Sequence, residues 1–261
     1  MILTVDIGNS RIKWASWQED KITARGVAAY DEKKLSENFD ELFSSVASPL
    51  EERPSRVLVA CVAGNNIIKA LNQWLQRHWK LDAEYLKTEK QFDNIINAYD
   101  EPAQHGVDRW ASVVAGHQSY QGASVCVISA GTAITIDLVN KEGRHLGGYI
   151  LPSYDIMHAA LLSDTANVVS TASLHFHQHG IPDNTNDAVN QGLHKLLQAG
   201  IREFCRFAQD RMDDPVQIIL TGGFAKTILD YPDMPVMHHE PDLVMQGLYS
   251  IMKQQSNTAE R

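Results

Sequence analysis

Residues 5–14, VDIGNSRIKW, run from an apolar strand into a cluster of small polar residues and out into a second strand. The flanking segments MILTVDI and IKWASW are typical of the two strands of a hairpin. Glycine allows a ligand to approach the main chain closely, and consecutive amides beside small polar side chains can surround phosphate oxygens. For this stretch taken alone, an ordinary hairpin turn, in which Gly, Asn and Ser are common, is the favoured interpretation.

A second stretch, ISAGTAITID at residues 128–137, has the same arrangement of strand end, small turn and resumed strand. Aligning the two stretches matches Gly8 with Gly131. Two copies that begin about half a chain apart predict two similar subdomains facing each other across a cleft, where α/β proteins usually bind ligands. The match covers ten residues with few identities, so the pattern alone leaves the repeat open.

The remainder of the chain alternates predicted strands and helices. Short apolar runs such as RVLVACV, SVCVISA and QIIL indicate buried strands, and ITIDLV with GGYIL predicts a second hairpin. Helices are predicted for DEKKLSENFDELFSSV, for IIKALNQWLQRHW, after Asp108, over about 186–212 and for PDLVMQGLYSIMKQ. The first of these helices carries its apolar face on Leu35, Phe39, Leu42, Phe43 and Val46. The apolar residues of the fourth are Val189, Leu193, Leu197, Ile201 and Phe204. This order predicts an α/β protein with mixed sheets covered by helices.

Composition excludes several classes of partner. The 261 residues include 44% hydrophobic and 21% charged residues, which is typical of a globular protein in solution. A net charge of −9 without a dense Lys/Arg block argues against a nucleic-acid partner. No apolar run approaches the roughly 20 residues of a membrane span, and the first residues do not resemble a secretion signal. The sequence therefore predicts a cytoplasmic protein that does not bind membranes.

Two further kinds of site have little support in the sequence. The chain contains neither G-x-x-x-x-G-K-[ST] nor G-x-G-x-x-G, so a nucleotide would have to be held by other means. His175, His177 and His179 alternate in LHFHQHG and could bind a metal. Because no Cys or carboxylate cluster accompanies them, a polar loop is the favoured interpretation.

A third polar cluster, YDEPAQHGVDRW, extends from Tyr99 to Trp110. Asp108 and Arg109 follow Gly106 and open a predicted helix, where the helix dipole favours anions. An aspartate there can accept a proton from an alcohol, and the arginine can form a bidentate contact with a carboxylate or phosphate. The alternative is structural: Asp108 would be an N-terminal helix acid and Arg109 its solvated partner.

Five segments in this order, DIGNSRIK, HGVDRW, SAGTAITID, GGYILP and TGGFAK, resemble the type III pantothenate kinases of the actin-like, sugar-kinase-like ATPase superfamily. The resemblance covers nearly the whole chain. It implies two ribonuclease-H-like subdomains with mixed sheets flanked by helices, expected at residues 1–120 and 121–261. It also implies a homodimer that uses ATP and Mg²⁺ to convert pantothenate into 4'-phosphopantothenate, the first step of coenzyme A biosynthesis.

The resemblance also assigns roles by position. The ATP phosphates are expected at both turns, with TGGFAK near the adenosine. The residues concerned are Asp6, Ile7, Gly8, Asn9, Ser10, Arg11, Ile12, Lys13, Gly131 and Thr132. Pantothenate is expected at Tyr99, Gly106, Val107, Asp108, Arg109 and Thr185. Asp108 would be the general base and Arg109 the contact for the substrate carboxylate, while Thr185 would serve the neighbouring subunit. Asp6 would lie near Mg²⁺, which prefers a carboxylate together with phosphate oxygens and water.

One residue departs from the family pattern. Members of the family usually have Asp at the position of Ser129, where it takes part in a site for K⁺ or NH₄⁺. Serine offers a neutral oxygen, so cation binding is expected to be weaker, rearranged or absent. Two alternative functions stay open: a catalytically weak nucleotide-binding regulator of gene expression on the same fold, and a related kinase for another small molecule.

Overall fold

The computed structural model describes residues 1–31, 33–43, 53–165, 167–174, 176 and 180–259. Its strands are β1 (Ile2–Ile7), β2 (Arg11–Gln18), β3 (Lys21–Ala29), β4 (Arg56–Cys61), β5 (Ala83–Tyr85), β6 (Gln91–Phe92), β7 (Ile95–Ile96), β8 (Ser124–Ala130), β9 (Ala133–Val139), β10 (His145–Pro152), β11 (Val216–Thr221) and β12 (His238–His239). Its α-helices are α1 (Leu35–Phe43), α2 (Asn65–His78), α3 (Val107–Ser119), α4 (Tyr154–Ser163), α5 (Thr185–Arg211), α6 (Ala225–Leu229) and α7 (Leu243–Ala259). A 3₁₀ turn covers Pro102–Gln104.

The predicted repeat is present as two five-stranded sheets with the same strand order. The first sheet runs β3-β2-β1-β4-β5 and the second runs β10-β9-β8-β11-β12. In each, the first strand of the repeat pairs antiparallel with the following strand and parallel with the fourth. The two stretches that opened the sequence therefore occupy equivalent hairpins, β1–β2 and β8–β9.

Two compact units organise the chain, and neither is continuous in sequence. Unit 1 comprises Met1–Phe92, Tyr99–Ala115 and Asp242–Arg261, and unit 2 comprises Asp93–Ala98 and Gly116–Pro241. These units differ from the continuous segments 1–120 and 121–261 expected from the sequence. The difference arises because the segment from Asp242 onward returns to unit 1 and because Asp93–Ala98 belongs to unit 2.

Helix α7 is the part of that segment that joins unit 1. The Thr4 hydroxyl of β1 donates to the Met245 sulfur at 3.3 Å. The Trp17 and Tyr249 rings stack with centroids 4.2 Å apart and planes 11° apart. A strand and a helix that are separated by most of the chain are thus packed into one core.

The core of unit 1 confirms the predicted first helix. Leu35, Phe39, Leu42 and Phe43 of α1 are all buried, whereas the predicted Val46 lies outside the described residues. The Phe43 ring contacts Trp74 of α2, with ring centroids 5.0 Å apart. Strand β3 was not predicted, because it alternates between half-buried and exposed residues and carries few large apolar side chains.

The core of unit 2 contains a polar component that the apolar pattern did not reveal. Helix α5 has the predicted extent, but only Leu197 and Ile201 of its predicted face are buried. His194 is fully buried, and its Nε2 donates to the Ser173 carbonyl at 2.8 Å. Its Nδ1 therefore accepts from the Tyr231 hydroxyl, also at 2.8 Å. Paired polar groups explain how such a side chain can replace an apolar one in the core.

Two further sequence expectations concern the histidine segment and membrane-spanning helices. The histidine segment LHFHQHG has His175, His177 and His179 outside the described residues. In the part of the chain that the structure describes, none of the helices combines the length and apolarity needed to cross a bilayer.

Candidate functional site

The turn between β1 and β2 presents a fixed main chain to solvent. The Gly8 amide donates to the Arg11 carbonyl at 3.0 Å and closes the turn. The Tyr30 hydroxyl, 22 residues away from Gly8, lies 3.0 Å from the Gly8 carbonyl and donates to it. Asn9, Ser10 and Arg11 are exposed. A turn whose Gly8 amide and carbonyl are both hydrogen-bonded keeps a fixed shape, and its exposed residues carry the small polar groups that phosphate sites use.

The two isoleucines within the expected phosphate segment have a structural role. Ile7 and Ile12 pair with each other across the hairpin, and both are buried in the core of unit 1. Their side chains therefore anchor the turn, and only their main chain belongs to the expected site.

Asp6 lies at the end of β1 beside Lys13, its partner on β2. Its side chain is buried, and this burial is the largest of the effects that raise its pKa from 3.8 to about 7. The charge of Lys13 lowers this pKa, whereas the carboxylate of Asp108 raises it. The charged form of Asp6 thus lacks sufficient compensation within the chain. A divalent cation would supply that compensation, so the residue fits the Mg²⁺ site expected from the sequence.

Asp108 is held in the first turn of α3. The Arg109 amide donates to Oδ1 of Asp108 at 2.8 Å. The Ser112 hydroxyl donates to the Asp108 carbonyl at 2.9 Å. A Cβ atom on Gly106 would lie 2.8 Å from the same Oδ1, so glycine leaves the space that this carboxylate occupies. A carboxylate fixed at a helix N-terminus can accept a proton in a defined direction.

Arg109, the next residue in α3, provides a buried positive charge. Its residue is 5% exposed, and its Nη1 donates to the Tyr99 hydroxyl at 3.1 Å. Lys90 in turn donates from Nζ to the Tyr99 carbonyl at 2.9 Å. Unit 1 therefore brings together Tyr99, Asp108 and Arg109, three residues expected to contact one substrate. A guanidinium held in this way can bind a carboxylate in bidentate geometry.

The second turn, between β8 and β9, belongs to unit 2. The Gly131 amide donates to the Ala133 carbonyl at 3.0 Å, and both Gly131 and Thr132 are exposed. The TGGFAK segment lies against this turn, because the Phe224 amide donates to the Ala130 carbonyl at 3.0 Å. Gly222 has a φ of +98°, and a Cβ on it would lie 2.3 Å from the same carbonyl oxygen. Two segments expected to contact ATP are thus adjacent in unit 2.

Ser129 precedes this turn in a row of hydroxyl residues. It pairs with Thr135 on β9 and with Thr221 on β11. All three residues offer neutral oxygens, so the residues paired with Ser129 supply no carboxylate in place of the missing aspartate.

Thr185 belongs to unit 2, at the exposed start of α5. Its neighbour Asn184 caps the helix by accepting from the Asp187 amide at 3.0 Å. A cavity of about 600 Å³ opens beside it, lined by Leu161, Val168, Pro182, Asp183, Asn184, Thr185, Ala188, Val189, Gly192 and Leu193.

Sequence reasoning missed the residues that support this site. Tyr30 donates a hydrogen bond to the main-chain carbonyl of Gly8, and Lys90 donates one to the main-chain carbonyl of Tyr99. Such contacts join segments that are distant in sequence, so no local pattern could have revealed them.

Comparison with known proteins gives a consistent family assignment. The sequence profile described as type III pantothenate kinase matches residues 2–206. The type III pantothenate kinase of Nitrosococcus oceani is 33% identical over 98% of this chain and 95% of its own length. That of Alcanivorax borkumensis is 31% identical over 98% of this chain and 100% of its own length.

Solved structures share the fold at lower identity. A protein from Campylobacter jejuni described as a Baf family transcriptional activator has a TM-score of 0.56 and 21% identity, covering 98% of this chain and 100% of its own. The ADPNP-bound activator of 2-hydroxyisocaproyl-CoA dehydratase from Clostridium difficile has a TM-score of 0.54 and 10% identity, covering 100% and 97%. A Sinorhizobium meliloti protein described as a 2-dehydro-3-deoxygalactonokinase has a TM-score of 0.56 and 14% identity, covering 98% and 99%. The two subdomains therefore have the actin-like ATPase fold.

Proposed function

Because the chain belongs to the type III pantothenate kinase family, we propose that it transfers the γ-phosphoryl group of ATP to the primary hydroxyl of pantothenate. The product is 4'-phosphopantothenate, so the reaction begins coenzyme A biosynthesis. One observation carries the residue assignment: consecutive residues at the start of α3 supply a carboxylate fixed by a main-chain amide, that of Asp108, and a buried guanidinium, that of Arg109. This pair offers one group for an alcohol and one for an acid, and pantothenate contains both.

Arg109 binds the pantothenate carboxylate in this proposal. Its Nη1 is already directed by the Tyr99 hydroxyl, so little side-chain freedom is lost when the substrate binds. Gly106 and Val107 contribute the main chain at the entrance to α3. The substrate is thereby oriented with its hydroxyl end toward Asp108.

Asp108 accepts the proton of the substrate hydroxyl as the hydroxyl oxygen attacks the γ-phosphorus. The bond between the γ-phosphorus and the bridging oxygen breaks, and ADP leaves with that oxygen. The Arg109 amide keeps the carboxylate oriented throughout, since it donates to Oδ1. In-line phosphoryl transfer requires positioning and charge neutralisation more than covalent chemistry, and a single carboxylate suffices as the base.

ATP is the phosphoryl donor, and we place its phosphates at the two turns. The resemblance assigns residues 6–13, Gly131 and Thr132 to the phosphate oxygens, and TGGFAK to the adenosine. Asp6 would hold Mg²⁺, which supplies neutralisation of the phosphate charge when bound. Lys13 adds a second positive charge beside Asp6.

We further propose a homodimer in which Thr185 completes the site of the neighbouring subunit. Its support is the resemblance at this position together with the exposed start of α5. The use of ATP in a biosynthetic step supports action in the cytoplasm, without nucleic-acid or membrane partners.

The test is an assay that couples ADP release to pantothenate addition, run on the purified chain with Mg²⁺. We expect turnover with pantothenate, and a loss of about 100-fold or more in kcat for Asp108→Asn. Asp155→Asn is the matched control, because Asp155, like Asp108, is an acid in the first turn of a helix, α4.

Three outcomes would contradict the proposal in different ways. Wild-type activity in Asp108→Asn would remove the assignment of the base. Turnover restricted to another alcohol in a substrate panel would point to a related kinase. Binding of ATP and pantothenate without turnover would favour the nucleotide-binding regulator.

A further inference from the structure

His105 is a buried residue between the two substrate segments, to which the proposed reaction assigns no role. His105 is 1% exposed and directly follows the 3₁₀ turn Pro102–Gln104. Both main-chain groups of His105 are held. Its amide donates to the Pro102 carbonyl at 2.9 Å, and its carbonyl accepts from the Thr88 hydroxyl at 2.7 Å. The position of the imidazole is therefore fixed from the main chain outward.

The imidazole of His105 forms a flat support for Tyr99. The two rings are nearly parallel, with an interplanar angle of 8° and centroids 4.8 Å apart. Trp110 meets the imidazole edge-on, at 70° and a centroid distance of 6.0 Å. Such offset ring pairs add stabilisation beyond the area they bury. The tyrosine thus rests on a ring that is itself packed against a fully buried tryptophan.

The orientation of the Tyr99 ring decides where its hydroxyl lies. Tyr99 is only half-buried, so its surroundings restrict the ring less than a core position would. Its hydroxyl accepts the hydrogen bond from Nη1 of Arg109, the group proposed to bind the substrate carboxylate. A rotation of the ring would move this acceptor and release the guanidinium.

We propose that His105 is a positioning residue of the acid-binding pocket: its ring holds the plane of Tyr99, and Tyr99 in turn holds Arg109. This inference rests on the proposed function, because it takes the bound acid to be pantothenate. The property that matters for this role is the flat ring at this position.

The experiment compares His105→Leu, which removes the ring, with His105→Phe, which keeps a flat ring. Steady-state kinetics would give kcat and separate KM values for pantothenate and ATP. We expect His105→Leu to raise the KM for pantothenate by about two- to tenfold, the equivalent of one lost aromatic pair. The KM for ATP should stay within about twofold, and His105→Phe should stay near wild type in both.

A readout without substrate keeps the inference independent of the activity. In protein carrying ¹³C-labelled tyrosine, stacking shifts the Tyr99 ring signals upfield through the ring current of the neighbouring ring. We expect this shift in wild type and in His105→Phe, and its loss in His105→Leu. His238→Leu is the matched control, since His238 lies in unit 2, where it is hydrogen-bonded to Gln217 and its ring packs against Tyr120.

The outcomes separate the two claims. An unchanged pantothenate KM in His105→Leu despite loss of the shift overturns the positioning role. The positioning role is also overturned if His105→Leu raises the KM values for pantothenate and ATP equally. Equal effects of His105→Leu and His105→Phe on the KM for pantothenate overturn it as well. Absence of pantothenate turnover in the wild type overturns the proposed function, and the ring-current comparison then still decides whether His105 holds Tyr99.

Discussion

Oδ1 of Asp108 lies 2.8 Å from the point where a Cβ atom on Gly106 would be. Gly106→Ala should therefore displace the carboxylate and lower kcat by about tenfold, because a misplaced catalytic group slows the reaction even when the fold is kept. Kinetics and a thermal unfolding curve measure the two effects.

Gly200→Ala provides the control for Gly106→Ala. Gly200 lies within α5, and a Cβ there meets nothing within 4 Å. Its kcat should stay at the wild-type value. Full activity in Gly106→Ala would show that the carboxylate tolerates another position.

Asp6 should make the stability of the metal-free protein depend on pH. Its pKa is raised by burial from 3.8 to about 7, so the unfolded chain releases this proton at lower pH than the folded chain does. The stabilisation is complete below pH 3.8 and is lost as the pH rises toward 7.

The variant Asp6→Asn cannot ionise and should escape this loss. Between about pH 5 and about pH 8, its free energy of unfolding should rise by about 2–3 kcal/mol relative to wild type. Urea unfolding in the presence of a chelator measures the difference. A difference that does not change with pH would mean that Asp6 ionises normally in the folded chain.

Gly222 should be among the least replaceable glycines of unit 2. Gly222→Ala combines a left-handed main chain with a contact of 2.3 Å to the Ala130 carbonyl oxygen, so we expect a loss of at least about 3 kcal/mol. Gly122→Ala shares the positive φ, at +80°, but its Cβ would meet nothing within 4 Å. It should cost only about 1–2 kcal/mol in urea unfolding. Equal losses in the two variants would exclude the close approach as the cause.

Ser129 leads to a prediction about monovalent cations. Because Ser129 and its strand neighbours offer only neutral oxygens, replacing Na⁺ by K⁺ or NH₄⁺ should change the rate by less than about twofold. Ser129→Asp restores a carboxylate and should make the rate respond to K⁺. Strong K⁺ dependence of the wild type would show that the hydroxyl row suffices for binding.

Thr185 can be tested by complementation between subunits. An Asp108→Asn chain is mixed with a Thr185→Ala chain, each of low activity alone. If Thr185 serves the neighbouring site, each mixed dimer contains one intact site, and random mixing should restore about a quarter of wild-type activity. Failure of mixed dimers to recover activity would place Thr185 in the site of its own chain, or outside the site.

The strongest sequence patterns predicted the parts of the fold that are buried on both sides. The β1–β2 hairpin and β4 were predicted because apolar runs were interrupted only by turn residues. Strand β3 and the two-residue strand β12 were missed, since edge strands are short or half-exposed and are defined by their partners. The buried Asn190 and His194 of α5 were missed for a related reason: their hydrogen-bond partners lie elsewhere in the chain.

The candidate site likewise contains residues that the local sequence predicted and residues that only the structure revealed. Asp6, Asp108 and Arg109 were proposed from short local segments, because the chemistry and the turn lie within a few residues. The supporting contacts of Thr88, Lys90 and Tyr30 depend on tertiary structure, and the sequence around each of them is unremarkable in composition. Only the folded chain shows which distant hydroxyl or ammonium reaches a given carbonyl.

The return of α7 to unit 1 has a consequence for protein synthesis. The chain emerges from the ribosome with its N-terminus first, so every residue of unit 2 has emerged before Asp242 does. Until then, Thr4 and Trp17 lack the Met245 and Tyr249 side chains that cover them. Unit 2 can thus complete its core during translation. Unit 1 meanwhile exposes the surface around Thr4 and Trp17, which a chaperone could bind.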